Sequence, residues 1–144
     1  MKMGTDEEAA MALRKVWLET LADGLVRADQ VVGIDAHQTP ELAGKPSRWL
    51  VDVVVCGTAG SGHRDGWVVG VLHRTLAQTS HPPGEAPHAL ARMLAQLDAM
   101  DAAGVIALDT EARSHPDESL APVRFRFTPF AAAEPMPTPD AEYL

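Results

Sequence analysis

The stretch that decides the fold reads WLVDVVVC (49–56), then GTAGSGHRDG (57–66), then WVVGVLHRTL (67–76). Two apolar runs rich in β-branched residues flank a glycine-studded decapeptide, the pattern of two adjacent strands and their connection. Because side chains alternate along a strand, the first run places Trp49, Val51, Val53 and Val55 on one side and Leu50, Asp52, Val54 and Cys56 on the other. Both sides are largely apolar, as in a central strand covered on both faces. Asp52 is the exception and calls for a partner. The second run sets Val68, Gly70, Leu72 and Leu76 opposite Trp67, Val69, Val71 and His73, and its last residues turn polar.

The glycines invite a nucleotide-site reading. A phosphate-binding loop needs two glycines separated by four residues, then a lysine and a Ser or Thr, all opening a helix. Gly57 and Gly62 meet the glycine spacing, but His63 and Arg64 stand where Lys and Ser/Thr are needed, and Asp65 adds repulsion. WVVGVLHR continues as strand. The decapeptide is therefore expected to be a hairpin connection, and no cofactor is expected.

Upstream, Thr5-Asp6-Glu7-Glu8 fits a capping box. Ala10, Leu13, Trp17 and Leu21, with Val16 beside them, recur at helical spacing. A helix is predicted over 6–22, stopped at Asp23-Gly24. From 26 to 37 the period changes to two, with Val32, Ile34 and Ala36 against Val31, Gly33, Asp35 and His37: a half-buried strand. Residues 38–47 carry two prolines and a glycine and form a loop.

Downstream, TSHPPGEAP (79–87) is a rigid spacer, because its prolines remove donors and fix φ. A second helix starts near Pro87, shows Leu90, Met93, Leu94, Leu97 and Met100 as a stripe, and is expected to end at Gly104. Residues 105–108 form a short apolar run, a candidate strand. In PVRFRFTP, Val123, Phe125 and Phe127 alternate with Arg124, Arg126 and Thr128, which predicts an edge strand over 123–128. The sequence thus predicts one α+β domain over 1–130 with a mostly antiparallel sheet of four or five strands, in the order helix, three-strand meander, helix, one or two strands. Both helices are expected on one face. Residues 131–144, AAEPMPTPDAEYL and the alanine before them, have little to bury and are expected to be a flexible acidic, proline-rich tail.

Composition narrows the function. A chain of 144 residues buries roughly 68–70% of its unfolded surface, enough for a core without staples. The apolar fraction is 46%, but three Trp, three Phe and one Tyr leave few stacking surfaces for bases. A net charge of −8 repels phosphate backbones and anionic lipid surfaces. Direct nucleic-acid and membrane partners are not expected. Cys56 is the sole cysteine, which excludes an intramolecular disulfide and a multi-cysteine zinc site. No leader and no long apolar run is evident, so a cytoplasmic protein or a component of a soluble particle is expected.

Three constellations are candidates for chemistry. Cys56, at a strand end, would need His63 or His73 to stabilise a thiolate, yet a single cysteine on a buried face more often serves as a small hydrophobe. The six histidines include no His-x-x-x-His pair and lie mostly in loops and at strand ends, so no metal site is expected. If the three strands form a meander, Asp35, Asp52 and His73 converge. On the surface, Arg124 and Arg126, with Phe125 between them and Arg64 and Asp65 in the long hairpin, are the candidate interface residues.

Across residues 5–128 the element order resembles that of phage tail-terminator and tail-completion proteins. That resemblance implies a homo-oligomeric ring built through sheet edges, with loops 38–47 and 57–66 and the edge strand 123–128 as assembly surfaces. The leading expectation is a non-enzymatic assembly or adaptor protein acting through protein contacts with a partner or itself. The rival is a small enzyme or ligand-binding protein whose pocket lies near Cys56, His63 and His73, with Asp52 contributing. An acidic nucleic-acid mimic is a third reading, which requires acids clustered on one face.

Overall fold

The computed structural model describes residues 12–22, 24–58, 69–109 and 122–131. The capping box at Thr5, the connection carrying His63, Arg64 and Asp65, and tail residues 132–144 lie outside them. In chain order the described elements are β1 (Val16–Glu19), β2 (Leu25–Arg27), a 3-10 turn (Ala28–Gln30), β3 (Val31–Gln38), β4 (Trp49–Thr58), β5 (Val69–Thr79), α1 (Ala86–Ala99), β6 (Gly104–Leu108) and β7 (Phe125–Pro129).

These strands form two sheets rather than the single one expected. One has four strands in the order β2-β1-β6-β7, with β1 and β6 parallel and the outer pairs antiparallel. The other is the antiparallel meander β3-β4-β5. The class is α+β and the pairing mostly antiparallel, as the patterning implied.

The helix predicted over 6–22 is overturned where residues 12–22 are described. Leu13 has φ 61°, a left-handed value that no helix interior accepts, and Val16–Glu19 is a strand. Val16 and Leu18 are fully buried at alternate positions while Leu21, on the supposed helical stripe, is half exposed. Apolar residues at 13, 16, 17, 18 and 21 satisfy both periods over so short a run, and pairing with β6 and β2 decides for the strand. Gly24 (φ 91°) then closes a hairpin instead of ending a helix, with the Thr20 backbone N–H and hydroxyl both donating to its carbonyl.

The predicted strand 26–37 is also two strands, one in each sheet. Ala28-Asp29-Gln30, residues poorly suited to strands, form the 3-10 turn between them. Ala28 is buried there among side chains from both layers.

Helix α1 begins as expected, with Pro87 in its first turn. It ends at Ala99, five residues before Gly104, in a Schellman motif with Asp101 in the left-handed position (φ 49°). The Asp101 N–H donates to the Asp98 carbonyl and the Ala102 N–H to the Leu97 carbonyl. Leu90 and Leu97 are buried, and Met93 and Leu94 pack beside them, but Met100 lies past the helix and is exposed. Gly104 instead opens β6, the strand inserted between β1 and β7. A Cβ there would come within 2.7 Å of Pro129 Cα, so glycine is required by close backbone approach.

One core joins the layers: Val16, Leu18 and Ile106 from the four-stranded sheet, Val53 and Leu76 from the meander, and Leu90 and Leu97 from the helix. Burying each such side chain stabilises the fold by about 1.5–3 kcal/mol. The Leu21 N–H, just past β1, also donates to the Thr75 carbonyl on β5.

Candidate functional site

The meander has two faces, and its register determines what meets on the outer one. Opposite residues of an antiparallel pair share a face. Asp35 of β3 pairs with Asp52 of β4, which pairs with Thr75 of β5. The flanking outer rows hold His37 opposite Leu50 and His73 opposite Val54. Two imidazoles, one from each outer strand, thus approach the central carboxylate row from opposite ends. Diagonal neighbours in such a sheet lie about 7–8 Å apart at Cα, within reach of a ring.

A β-bulge makes this alignment. The register shifts by one residue between Val51 and Asp52, where Leu76 is the extra residue on β5. Leu76 and Ala77 are both buried against the core, and His73 and Thr75 fall on the opposite, outer side.

The four side chains form one contact group. His37 Nδ1 is 3.2 Å from Asp35 Oδ2, a hydrogen bond, and 3.7 Å from Asp52 Oδ2. His73 Nδ1 lies 3.6 Å from Asp52 Oδ2 and 3.9 Å from Asp35 Oδ2. The two rings meet edge to face, with centroids 6.2 Å apart and planes at 86°. In both histidines Nδ1 faces the carboxylates, at hydrogen-bond distance in His37, which leaves Nε2 for another partner.

Asp52 sits beneath the others. Its side chain is 3% accessible against 40–49% for Asp35, His37 and His73, and its Oδ1 is buried without a hydrogen-bond partner. Like charges directly opposite on adjacent strands destabilise a sheet, and a buried carboxylate oxygen without a donor adds a desolvation cost. Nothing in packing favours this choice over an apolar residue. Among the described residues, no set of three or more His, Cys, Asp or Glu is arranged to hold a metal ion. What the arrangement offers is two imidazoles aligned by carboxylates, the geometry that prepares a histidine for proton transfer at its other nitrogen.

Of the residues anticipated for catalysis, Asp52 and His73 meet, with Asp35 beside them. Cys56 is exposed rather than buried as expected. It lies four residues beyond Asp52 along β4, about 13 Å at strand spacing. His63 lies outside the described residues. His37 was missed, although Asp35-Ala36-His37 is an Asp-x-His pair that a strand places on one face. Of the interface candidates, Arg124 is exposed on the approach to β7. Arg126 pairs with Asp109 at 3.4 Å, and Phe125 packs against the core. Arg64 and Asp65 lie outside the described residues.

Next to the cluster, under the connection between β3 and β4, is a cleft of about 540 Å³. Its lining includes Leu50 and Gln78 of the meander and Thr39, Leu42, Lys45 and Arg48 of the connection. Leu50 is the cross-strand partner of His37, so the cleft lining reaches the row that holds this imidazole. No helix among the described residues is long and apolar enough to cross a membrane. No protein-family model matches the chain, and neither the curated proteins nor the solved structures contain a significant match to it.

Proposed function

We propose that the chain is a small ligand-binding or acid–base enzyme domain whose site is the outer face of the meander. The observation that carries this reading is Asp52: a buried carboxylate with one orphan oxygen, directly opposite a second carboxylate, beneath two histidines. Buried polar groups left without partners are rare in folded proteins and often mark functional positions. In this reading Asp35 and Asp52 are positioning residues, and the Nε2 atoms of His37 and His73 touch the ligand, one accepting and the other donating a proton. The ring signals of the two histidines in NMR spectra test it directly. A metabolite mixture is expected to contain a binder that shifts both, and Asp52→Asn to abolish that response. A broad library that leaves both rings unmoved would sink the proposal.

A second reading is assembly through sheet edges, the expectation drawn from the resemblance to tail-completion proteins. It is favoured by the four-stranded sheet, which among the described residues ends on β2 at one edge and β7 at the other. Leu25 on β2 and Phe130 just past β7 are each about half exposed. Two different edges of one sheet pair head to tail, and such contacts close into rings when the rotation permits. Light scattering at micromolar concentration discriminates: a strict monomer eliminates ring formation.

A further inference from the structure

We infer that the cleft beneath the β3–β4 connection is an oxyanion subsite, so that the ligand of the histidine face carries a phosphoryl or carboxylate group. This rests on the ligand reading above and adds the ligand's chemical class.

The connection is built to hold its cations in place. Across its base the Thr39 N–H donates to the Arg48 carbonyl at 2.7 Å, and the Arg48 N–H returns to the Thr39 hydroxyl at 2.8 Å. The Gln38 side-chain amide donates to the Ser47 hydroxyl at 2.8 Å. At its tip Leu42 and Lys45 form a bridge, closed by the Lys45 N–H to the Leu42 carbonyl at 2.8 Å, with Gly44 supplying the left-handed residue (φ 83°). A loop tied at both ends loses little entropy on binding.

Its charge is complementary to an anion. The chain carries 20 acidic residues against 12 basic ones, and three of its described cations are held by carboxylates. Lys15, Arg27 and Arg126 are paired with Asp101, Asp29 and Asp109. Lys45 and Arg48 have no carboxylate partner among the described residues, and both line the same cleft. Its volume falls within the range of small-molecule sites, about 300–1,000 Å³. Arginine offers a planar fork and lysine a point charge, a combination suited to oxyanions. An anion seated between them leaves the rest of a small metabolite to extend past Leu50 to His37, its cross-strand partner on the same face.

Amide shifts of the full chain titrated with inorganic phosphate and, separately, with acetate test this, using chloride at matched ionic strength as reference. The expected result is saturable shifts in residues 39–50 and at Gln78 with at least one of the two anions, weakened tenfold or more by the double substitution Lys45→Met, Arg48→Met. Lys45→Glu is expected to abolish them. Response to phosphate alone assigns a phosphoryl ligand, and response to acetate alone a carboxylate. Shifts no different from those with chloride, or saturable binding unchanged in the double variant, overturn the subsite. If the histidine rings respond to a binder that ignores both substitutions, the subsite fails and the proposed function stands. If the anions bind the cleft while no ligand reaches the rings, the proposed function fails instead.

Discussion

The same three strands present two faces that obey different rules. The inner face of the meander carries Ile34, Val51, Val53, Leu76 and Ala77, with Val51, Val53, Leu76 and Ala77 at most 2% exposed. The outer face, one residue along on each strand, carries Asp35, His37, Asp52 and His73, with a carboxylate buried almost as deeply as the valines beside it. Burial on the inner face removes apolar area from water and stabilises. Burial on the outer face confines charge that has too few donors and opposes folding. Where neighbouring residues on one strand are buried for opposite energetic reasons, the unfavourable one points to a role other than stability.

The largest expected effect comes from breaking the inner side. Leu90→Ala removes a fully buried helix side chain from the shared core and should cost about 2–5 kcal/mol, read as a lower urea midpoint at unchanged slope. A loss below that range would mean that helix and sheets are not one packed unit. Gly104→Ala tests the neighbouring sheet: overpacking against Pro129 should cost about 1–3 kcal/mol, and a neutral result would contradict the close approach of β6 and β7. Asp52→Asn sharpens the contrast because its sign is reversed. Removing the charge opposite Asp35 should stabilise by about 0.2–1 kcal/mol while ligand response at the histidines disappears. Marked destabilisation would show Asp52 to be a structural residue. Smallest of all, Asp101→Gly relieves a left-handed non-glycine residue at the helix end and should raise the urea midpoint by an amount worth under about 1 kcal/mol. Its ion pair with Lys15 is largely exposed and offsets little of that gain.

The sequence made the strong elements legible. The β-branched run at 49–56, the described part of the run at 67–76 from Val69 on, the stripe from Leu90 to Leu97 and the alternation around Phe125 each appear in the structure as the element their pattern implies. The first strand did not, because Val16-Trp17-Leu18 is too short to separate the two periods and its partner β6 lies some ninety residues away. Such pairing is a tertiary decision that propensity does not encode. The split of 26–37 between two sheets was hidden for the same reason. At the site, the residue types were visible but their meeting depended on register. Asp35 opposite Asp52 follows from the length of one connection and His73 beside them from a bulge, neither of which can be read from composition. His37 alone was within reach, two positions after Asp35.

The extra residue at Leu76 gives β5 a change of parity. Before it, His73 and Thr75 point away from the helix; after it, Gln78 takes the outward role opposite Leu50. Were Leu76 paired in the ladder, it would stand opposite Asp52 and the imidazole of His73 would turn to the helix side, whereas deleting Leu76 would leave His73 opposite Val54 and facing outward. The fold thus contains a single-residue mechanical shim that sets the rotational phase of half a strand, and through it which chemical groups the protein shows to solvent.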